Sequence, residues 1–436
     1  MKQHVFTFLF VLLAFPLKLF AQDIAYVSDK EEYRRSSLCL ILLTHKDKKY
    51  AEEMERIFKE FPMPARYNEH NIVGFRCVSV RGKQTKADID RMLQRMNIGQ
   101  KLVERWFNRN ESTGAMDMDL IHDRGGYGAM YADYERAKET VRGTALLRDE
   151  GVELLQSTFV LVCDMDYIDK AKRAGWAAFG MGLLSLGMQV GSAVNYSQAQ
   201  SAYARGDYRT ARAKESSARA WNAGSFATAG AANVVKDIGG FRVKINAYLY
   251  KLNWDDAMTQ RMYSDYWVDE TTADDEAATR RSRFEKDARM FSLKYVGAYK
   301  ATSSKTILRS WKNEDEVIKD VCYRCVAKGV KQLAKKFVVF KPRTPYYYEG
   351  STMYSHIGTK EDVRYGQKYE IVQRAKDKQG NIKYKRVGVA TAGTPWNNRD
   401  MRFDEYFDPE QKGTRFYVQN AKVDLWPNRG LQLREM

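Results

Sequence analysis

Continuous apolar runs of strand length alternate with stretches of helical periodicity through the first three quarters of the chain. Ser37–His45 (SLCLILLTH) is uninterrupted, the pattern of a strand buried on both faces. Asp47–Glu60 reads as a helix, and Asn71–Val80 (NIVGFRCVSV) as a second strand. Thr85 with Asp88 has the spacing of a capping box. Ile89, Met92, Met96, Val103 and Trp106 follow as one apolar stripe, predicting a single amphipathic helix over 86–108. Met116–Ile121 reads as a short strand. Tyr134, Ala137, Val141 and Ala145 predict a long helix over 130–155. Ser157–Cys163 (STFVLVC) repeats the buried-strand pattern. Phe241–Trp254 and Phe291–Thr302 alternate as strands, and Asn313 with Glu316 opens a helix reaching 337.

Interleaved strands and helices predict an α/β or α+β domain over 22–340, a layered mixed sheet with helices. After Lys341-Pro342 the texture changes. Tyr346–Tyr354, Lys368–Arg374, Ile382–Thr391 and Thr414–Asn420 are short strand candidates, with Lys378-Gln379-Gly380-Asn381 suited to a hairpin. A small β-barrel domain is predicted over 341–436.

The stretch 166–240 is unlike the rest. Trp176–Ala204 holds no charge, Arg205–Arg219 is basic, and Ala220–Val235 is again uncharged. Gly187 and Gly191 form a G-x-x-x-G pair, the spacing at which small residues let two helix backbones approach. The segment reads as an inserted Gly/Ala-rich hairpin, with three readings open. One is a packed helical hairpin. Another is a membrane-inserting hairpin, since Trp176–Val194 approaches the ~20 residues a spanning helix needs. The third is an oligomerisation segment or amphipathic β-hairpin. In the membrane or oligomer readings Trp176, Phe179, Gly187 and Gly191 make the contact, with Arg205, Arg209 and Arg212 near lipid headgroups.

Residues 1–21 carry one early cation, an apolar run Val5–Phe15 and a short exit to Ala21, as a secretory signal peptide does. The expected address is the periplasm or the periphery of an outer membrane. The chain holds 72 Lys+Arg against 55 Asp+Glu, a formal charge of +17. In an envelope that excess favours anionic lipid, lipopolysaccharide or acidic glycan as partner, rather than nucleic acid.

Motifs that carry chemistry are missing: no G-x-S-x-G, P-loop, H-E-x-x-H or EF-hand loop is present. No cofactor or metal is implied, and no histidine pairs with another at ligand spacing. His122-Asp123-Arg124 reads as a strand-to-helix turn, with His122 or Asp123 the centre of an enzyme reading that ranks last. Asn68-Glu69-His70-Asn71 reads as loop hydrogen bonding. Cys322 and Cys325 form a C-x-x-C on the apolar face of the last long helix, read as two core cysteines or a local disulfide. Tyr346, Tyr347, Tyr348, Tyr354, Tyr365 and Tyr369 stand among cations, read as cross-strand packing or a glycan surface.

The order Asp119–Arg124, helix, strand 157–163, insertion, strand 241–254, strand 291–302 and helix 314–337 resembles the core of the curli secretion channel lipoprotein, the CsgG type. Asp123-Arg124 and Thr158–Val162 (TFVLV) are the nearest matches. Val363, Tyr365-Gly366 and Tyr369–Val372 resemble small barrels attached to related periplasmic proteins. Residues 32–110 are similar to an uncharacterised family of exported Bacteroides-type envelope proteins. The resemblance implies a periplasmic fold whose inserted hairpin meets the membrane or other subunits. The family's lipid-anchoring Cys is absent here, and its hairpins are β. The expectation is a non-enzymatic envelope protein with an assembly or interaction role. A binding module for anionic glycan or lipopolysaccharide is the alternative.

Overall fold

The computed structural model describes residues 25–26, 35–62, 64–67, 75–205, 207–236, 238–308, 313–376, 382–402, 413–425 and 430–436. The expected signal peptide, Asn68–Asn71 and the expected Lys378–Asn381 hairpin turn lie outside the described residues. In chain order the first half runs β1 (Ala25–Tyr26), β2 (Ser37–Thr44), α1 (Ala51–Glu60), β3 (Phe75–Ser79), α2 (Lys86–Arg95), α3 (Ile98–Trp106), α4 (Met118–Gly128), α5 (Tyr131–Lys138) and α6 (Leu146–Glu153). It continues with β4 (Thr158–Asp169), α7 (Lys170–Ala204), α8 (Tyr208–Lys236), β5 (Ile238–Leu252), α9 (Asp256–Arg261), α10 (Asp274–Lys286), β6 (Leu293–Leu308) and α11 (Glu314–Lys336). Seven strands close the chain: β7 (Arg343–Pro345), β8 (Tyr347–Glu349), β9 (Thr352–Ser355), β10 (Lys368–Lys376), β11 (Ile382–Ala392), β12 (Thr414–Ala421) and β13 (Leu431–Glu435).

The first sheet has the order β3-β2-β4-β5-β6. β2 is parallel to both β3 and β4, while β4, β5 and β6 pair antiparallel. Every residue of β2 is buried, as its unbroken apolar run requires. Leu38, Leu40 and Leu42 face one layer with Phe159, Leu161 and Cys163, against α1 and α11. Cys39, Ile41 and Leu43 face the other with Val160 and Val162, against Ile89, Leu93, Ile98 and Leu102 of α2 and α3. The sheet is therefore sandwiched between helices at its parallel end, an α/β layered domain with a mixed sheet.

The second sheet follows the antiparallel path β7-β13-β10-β11-β12-β9-β8, a nearly closed barrel in which β7 runs straight on to β8. Its core is Tyr346, Met353, Ile357, Tyr369, Ile371, Phe416, Leu431 and Leu433, joined by Met130 from the α/β domain. The two units meet around Tyr127. Arg35 and Lys360 stack on its ring at 5.3 and 4.0 Å, and Lys360 Nζ donates to Met401 O at 2.6 Å. Lys360 is fully buried and is paired with backbone carbonyls, including that of Tyr127.

Five expectations are corrected. The apolar stripe over 86–108 is two helices, because Asn97 takes a left-handed φ of 49° and turns the chain between α2 and α3. The Thr85/Asp88 capping box is present at the start of α2. Met116–Ile121 is not a strand. Asp117 accepts Leu120 N at 2.9 Å and starts α4. Gly125 and Gly151 then let α4 and α6 touch: a Cβ on Gly125 would meet Leu147 O at 2.4 Å, and one on Gly151 would meet Ile121 O at 2.1 Å. His122-Asp123-Arg124 thus lies inside a helix. The predicted helix over 130–155 breaks into α5 and α6, with Gly143 at φ 55° in the connection. The β-hairpin reading of the insertion is overturned as well, since both arms are helical.

Candidate functional site

The insertion is an antiparallel pair of long helices set between two antiparallel strands. α7 has 35 residues and α8 has 29, about 52 and 43 Å at 1.5 Å per residue. α7 follows β4 without a break, and Asp169 Oδ1 accepts the backbone N–H of Ala171 at 2.8 Å to cap it. α8 returns into β5 through Gly239-Gly240. Gly240 holds φ 106°, and a Cβ there would strike Lys305 O at 2.3 Å, so the return needs glycine. Asp169 pairs with Phe241 in the β4–β5 register, so the arm replaces the turn of a β-hairpin.

Small residues at heptad spacing hold the arm together. Ser192, Ala199 and Ala202 are buried on α7, and Ala211, Ala218 and Ser225 on α8. Ser192 Oγ donates to Ala218 O at 2.8 Å across the pair. A Cβ on Gly191 would lie 2.5 Å from Trp221 Cε3, and one on Gly224 would lie 3.1 Å from Met188 Sδ. The close approach expected of Gly191 is thus made by α8. Trp176, Phe179 and Gly187 lie on α7, their side-chain surroundings outside the described residues.

At the tip, Asp207 accepts Thr210 N at 3.0 Å and caps α8. These hydrogen bonds hold its carboxyl below the usual range. Arg205, Arg209 and Arg212 are exposed around this turn, and none forms an ion pair among the described residues. Arg219 further down pairs with Glu215 at 2.5 Å. Leu184, Val194, Tyr196 and Trp221 are exposed along the flanks. Among the described residues no helix is long and apolar enough to cross a membrane. The arm offers contact area and a basic tip.

The other sequence candidates separate. Cys322 and Cys325 are free and fully buried against the sheet, Cys325 Sγ lying 3.5 Å from Val243 O. His122 lines a cleft with Asp256, Thr259, Gln260 and Tyr263. Asp123 is paired with Arg402 of the barrel instead, so the two do not converge. Of the six tyrosines, Tyr346 and Tyr369 are core residues and Tyr365 is 78% exposed. Tyr347 pairs with Tyr354 across strands, their rings stacked 5.8 Å apart.

Sequence reasoning missed one buried pair. His45 Nε2 lies 2.8 Å from Asp164 Oδ1, and Asn246 donates to Asp164 Oδ2 at 3.5 Å. His45 directly follows the carboxyl end of β2, and Asp164 lies midway along β4, where its parallel pairing with β2 ends. Two neighbouring apolar runs ending in His and Asp were the available signal. Among the described residues no group of three or more His, Cys, Asp or Glu is gathered for a metal ion. No protein-family model matches the chain, and no curated protein matches it.

Proposed function

We propose that this is a non-enzymatic protein of the bacterial envelope that works by contact, its helical arm meeting an anionic membrane surface. The reading rests on one observation. A two-helix arm rises where a two-residue turn would suffice, and its tip carries Arg205, Arg209 and Arg212 exposed and in no salt bridge among the described residues, with Asp207 the one carboxylate close enough to feel Arg205. Each cation near an anionic bilayer adds about 1 kcal/mol, so three together give measurable, salt-sensitive attachment. The signal-like N-terminus and the net positive charge support an exported protein with an acidic partner. The likeness in element order to the CsgG type supports an inserted hairpin as the assembly element.

Removing 170–238 tests this. The deletion leaves Asp169-Gly239-Gly240-Phe241, a Gly-Gly turn between two residues already paired, so the sheet closes without the arm. The mature full-length protein is expected to co-sediment with phosphatidylglycerol vesicles and not with phosphatidylcholine ones. The deletion, and the triple reversal Arg205→Glu, Arg209→Glu, Arg212→Glu, should stay in the supernatant. Sedimentation of the deletion at the full-length level overturns the proposal.

A further inference from the structure

A cleft of about 690 Å³ opens between α2–α3 and the β5–β6 edge of the sheet, away from the arm. Its geometry is fixed from both sides. Asn97 turns the chain from α2 into α3, and Gly99 seats α3 on residue 291: a Cβ there would fall 1.8 Å from Phe291 O. Tyr250 and Tyr295 form one wall, their rings edge to face at 5.5 Å, with Tyr295 partly open to solvent.

The charges are unequal. Lys86, Arg95 and Arg289 line the cleft against a single carboxylate, Asp90. That carboxylate is already spent on the protein. Its Oδ1 accepts the Tyr250 hydroxyl at 2.6 Å, and its Oδ2 accepts Lys86 Nζ at 2.6 Å. Lys86 also lies 4.8 Å over the Tyr295 ring. Arg95 and Arg289 are exposed at the mouth and form no ion pair among the described residues. A cleft of ligand size with an aromatic wall, a fixed hydroxyl and two unpaired guanidinium groups is built to take an anion attached to a ring.

We propose that this cleft binds a small anionic saccharide, a sugar acid or sugar phosphate, through Arg95 and Arg289 with the sugar ring against Tyr295. Bare phosphate fills too little of the volume, and a neutral sugar leaves both guanidinium groups unused. The site shares no residue with the arm, so arm variants leave it untouched and its failure leaves the membrane reading standing.

The test is calorimetric titration of the mature full-length protein with five probes: glucuronic acid, glucose 6-phosphate, glucose, inorganic phosphate and adenosine monophosphate. At least one of the two charged sugars is expected to bind about tenfold or more tighter than glucose and phosphate, and to weaken as salt screens the arginines. Arg95→Ala, Arg289→Ala and Tyr295→Ala should each weaken it severalfold while keeping the wild-type melting temperature. Comparison of the two sugars distinguishes carboxylate from phosphate as the anionic group. No heat with either charged sugar at millimolar concentration overturns the proposal. So do equal affinity for glucose, tighter binding of the nucleotide, and full affinity in both arginine variants.

Discussion

The ring of Trp221 lies directly over Gly191, where the missing Cβ would sit 2.5 Å from Cε3 and 2.7 Å from Cζ3. Two effects oppose each other at this site. Glycine inside a helix costs about 1 kcal/mol relative to alanine. Alanine there would push the indole off the arm. Trp221 is 46% exposed, so roughly half its surface is at stake, about 2–3 kcal/mol of burial. Displacement wins, and Gly191→Ala should destabilise the arm. In a Trp221→Ala background the same substitution should become stabilising, because only the propensity gain is left. Hydrogen exchange along α7 and α8 reads both signs. The same sign in both backgrounds would mean that the ring does not lie on Gly191.

All five cysteines are free thiols, and four of them are buried. Burial pushes Cys163 and Cys322 far above the ordinary thiol range and Cys325 up to about 11. Half-buried Cys77 is raised to about 12, by desolvation first and then by its hydrogen bond with Glu55. Thiolate is the reactive form. The native protein should therefore release almost no colour with a disulfide reagent at pH 8, and five equivalents in denaturant. Three equivalents in denaturant would reveal an oxidised pair, with Cys322–Cys325 the first to map.

What the sequence made legible follows from where each signal resides. β2 and β4 are buried on both faces, so their signal is local composition, and both were readable. The composition of the insertion carried its helices and the close approach at Gly191. Its partner, Trp221, is thirty residues away, and no local pattern names it. The break at Asn97 is a single dihedral choice inside an apolar stripe, whereas the one between α5 and α6 is a turn of several residues that leaves Val141 exposed. Met116–Ile121 alternates like a strand, and only the Asp117 cap and the Gly125/Gly151 contact make it helical. β13 is five residues with two leucines, too short to stand out, yet it lies between β7 and β10. The cleft joins α2, Tyr250 and the stretch around Arg289, which only the folded sheet brings together.

Asp269 gives a local reading of acid sensitivity. Its carboxylate accepts the Thr271 hydroxyl at 2.7 Å, Trp267 Nε1 at 2.8 Å and Thr271 N at 2.9 Å. The Thr271 hydroxyl does most to hold its pKa at about 2, below the ordinary 3.8. A depressed carboxylate stabilises the fold above its unfolded pKa, and loses that contribution as pH falls through the folded value. The loop should stay intact at pH 4 and loosen between pH 4 and 2. The Trp267 hydrogen bond makes emission the reporter: the wild-type titration should contain a step with midpoint near 2 that Asp269→Asn lacks. An identical acid titration in the variant would detach the loop from this carboxylate.

Arg66 ties the barrel to the α/β domain from a position 369 residues away from its principal partner. Nη1 donates to Glu435 Oε2, and Nη2 donates to Glu435 Oε1 and Asp362 Oδ2 at 3.2 Å each. Arg66 is 5% and Glu435 9% exposed, so water replaces neither partner well. Deleting one side of a buried pair costs about 3–5 kcal/mol, because the remaining charge stays desolvated. In Arg66→Ala, Glu435 keeps Gln367 Nε2 at 2.7 Å as donor but loses its countercharge. The expected result is a lower melting temperature, with the barrel transition separating from that of the α/β domain. Arg66→Lys should recover only part of the loss, since an ammonium cannot reproduce the two-pronged contact. Arg66→Ala with Glu435→Leu should recover more, by removing the stranded charge. A wild-type melt for Arg66→Ala would show that the apolar core around Met130, the Tyr127 contacts and the Asp123–Arg402 pair hold the two units together without it.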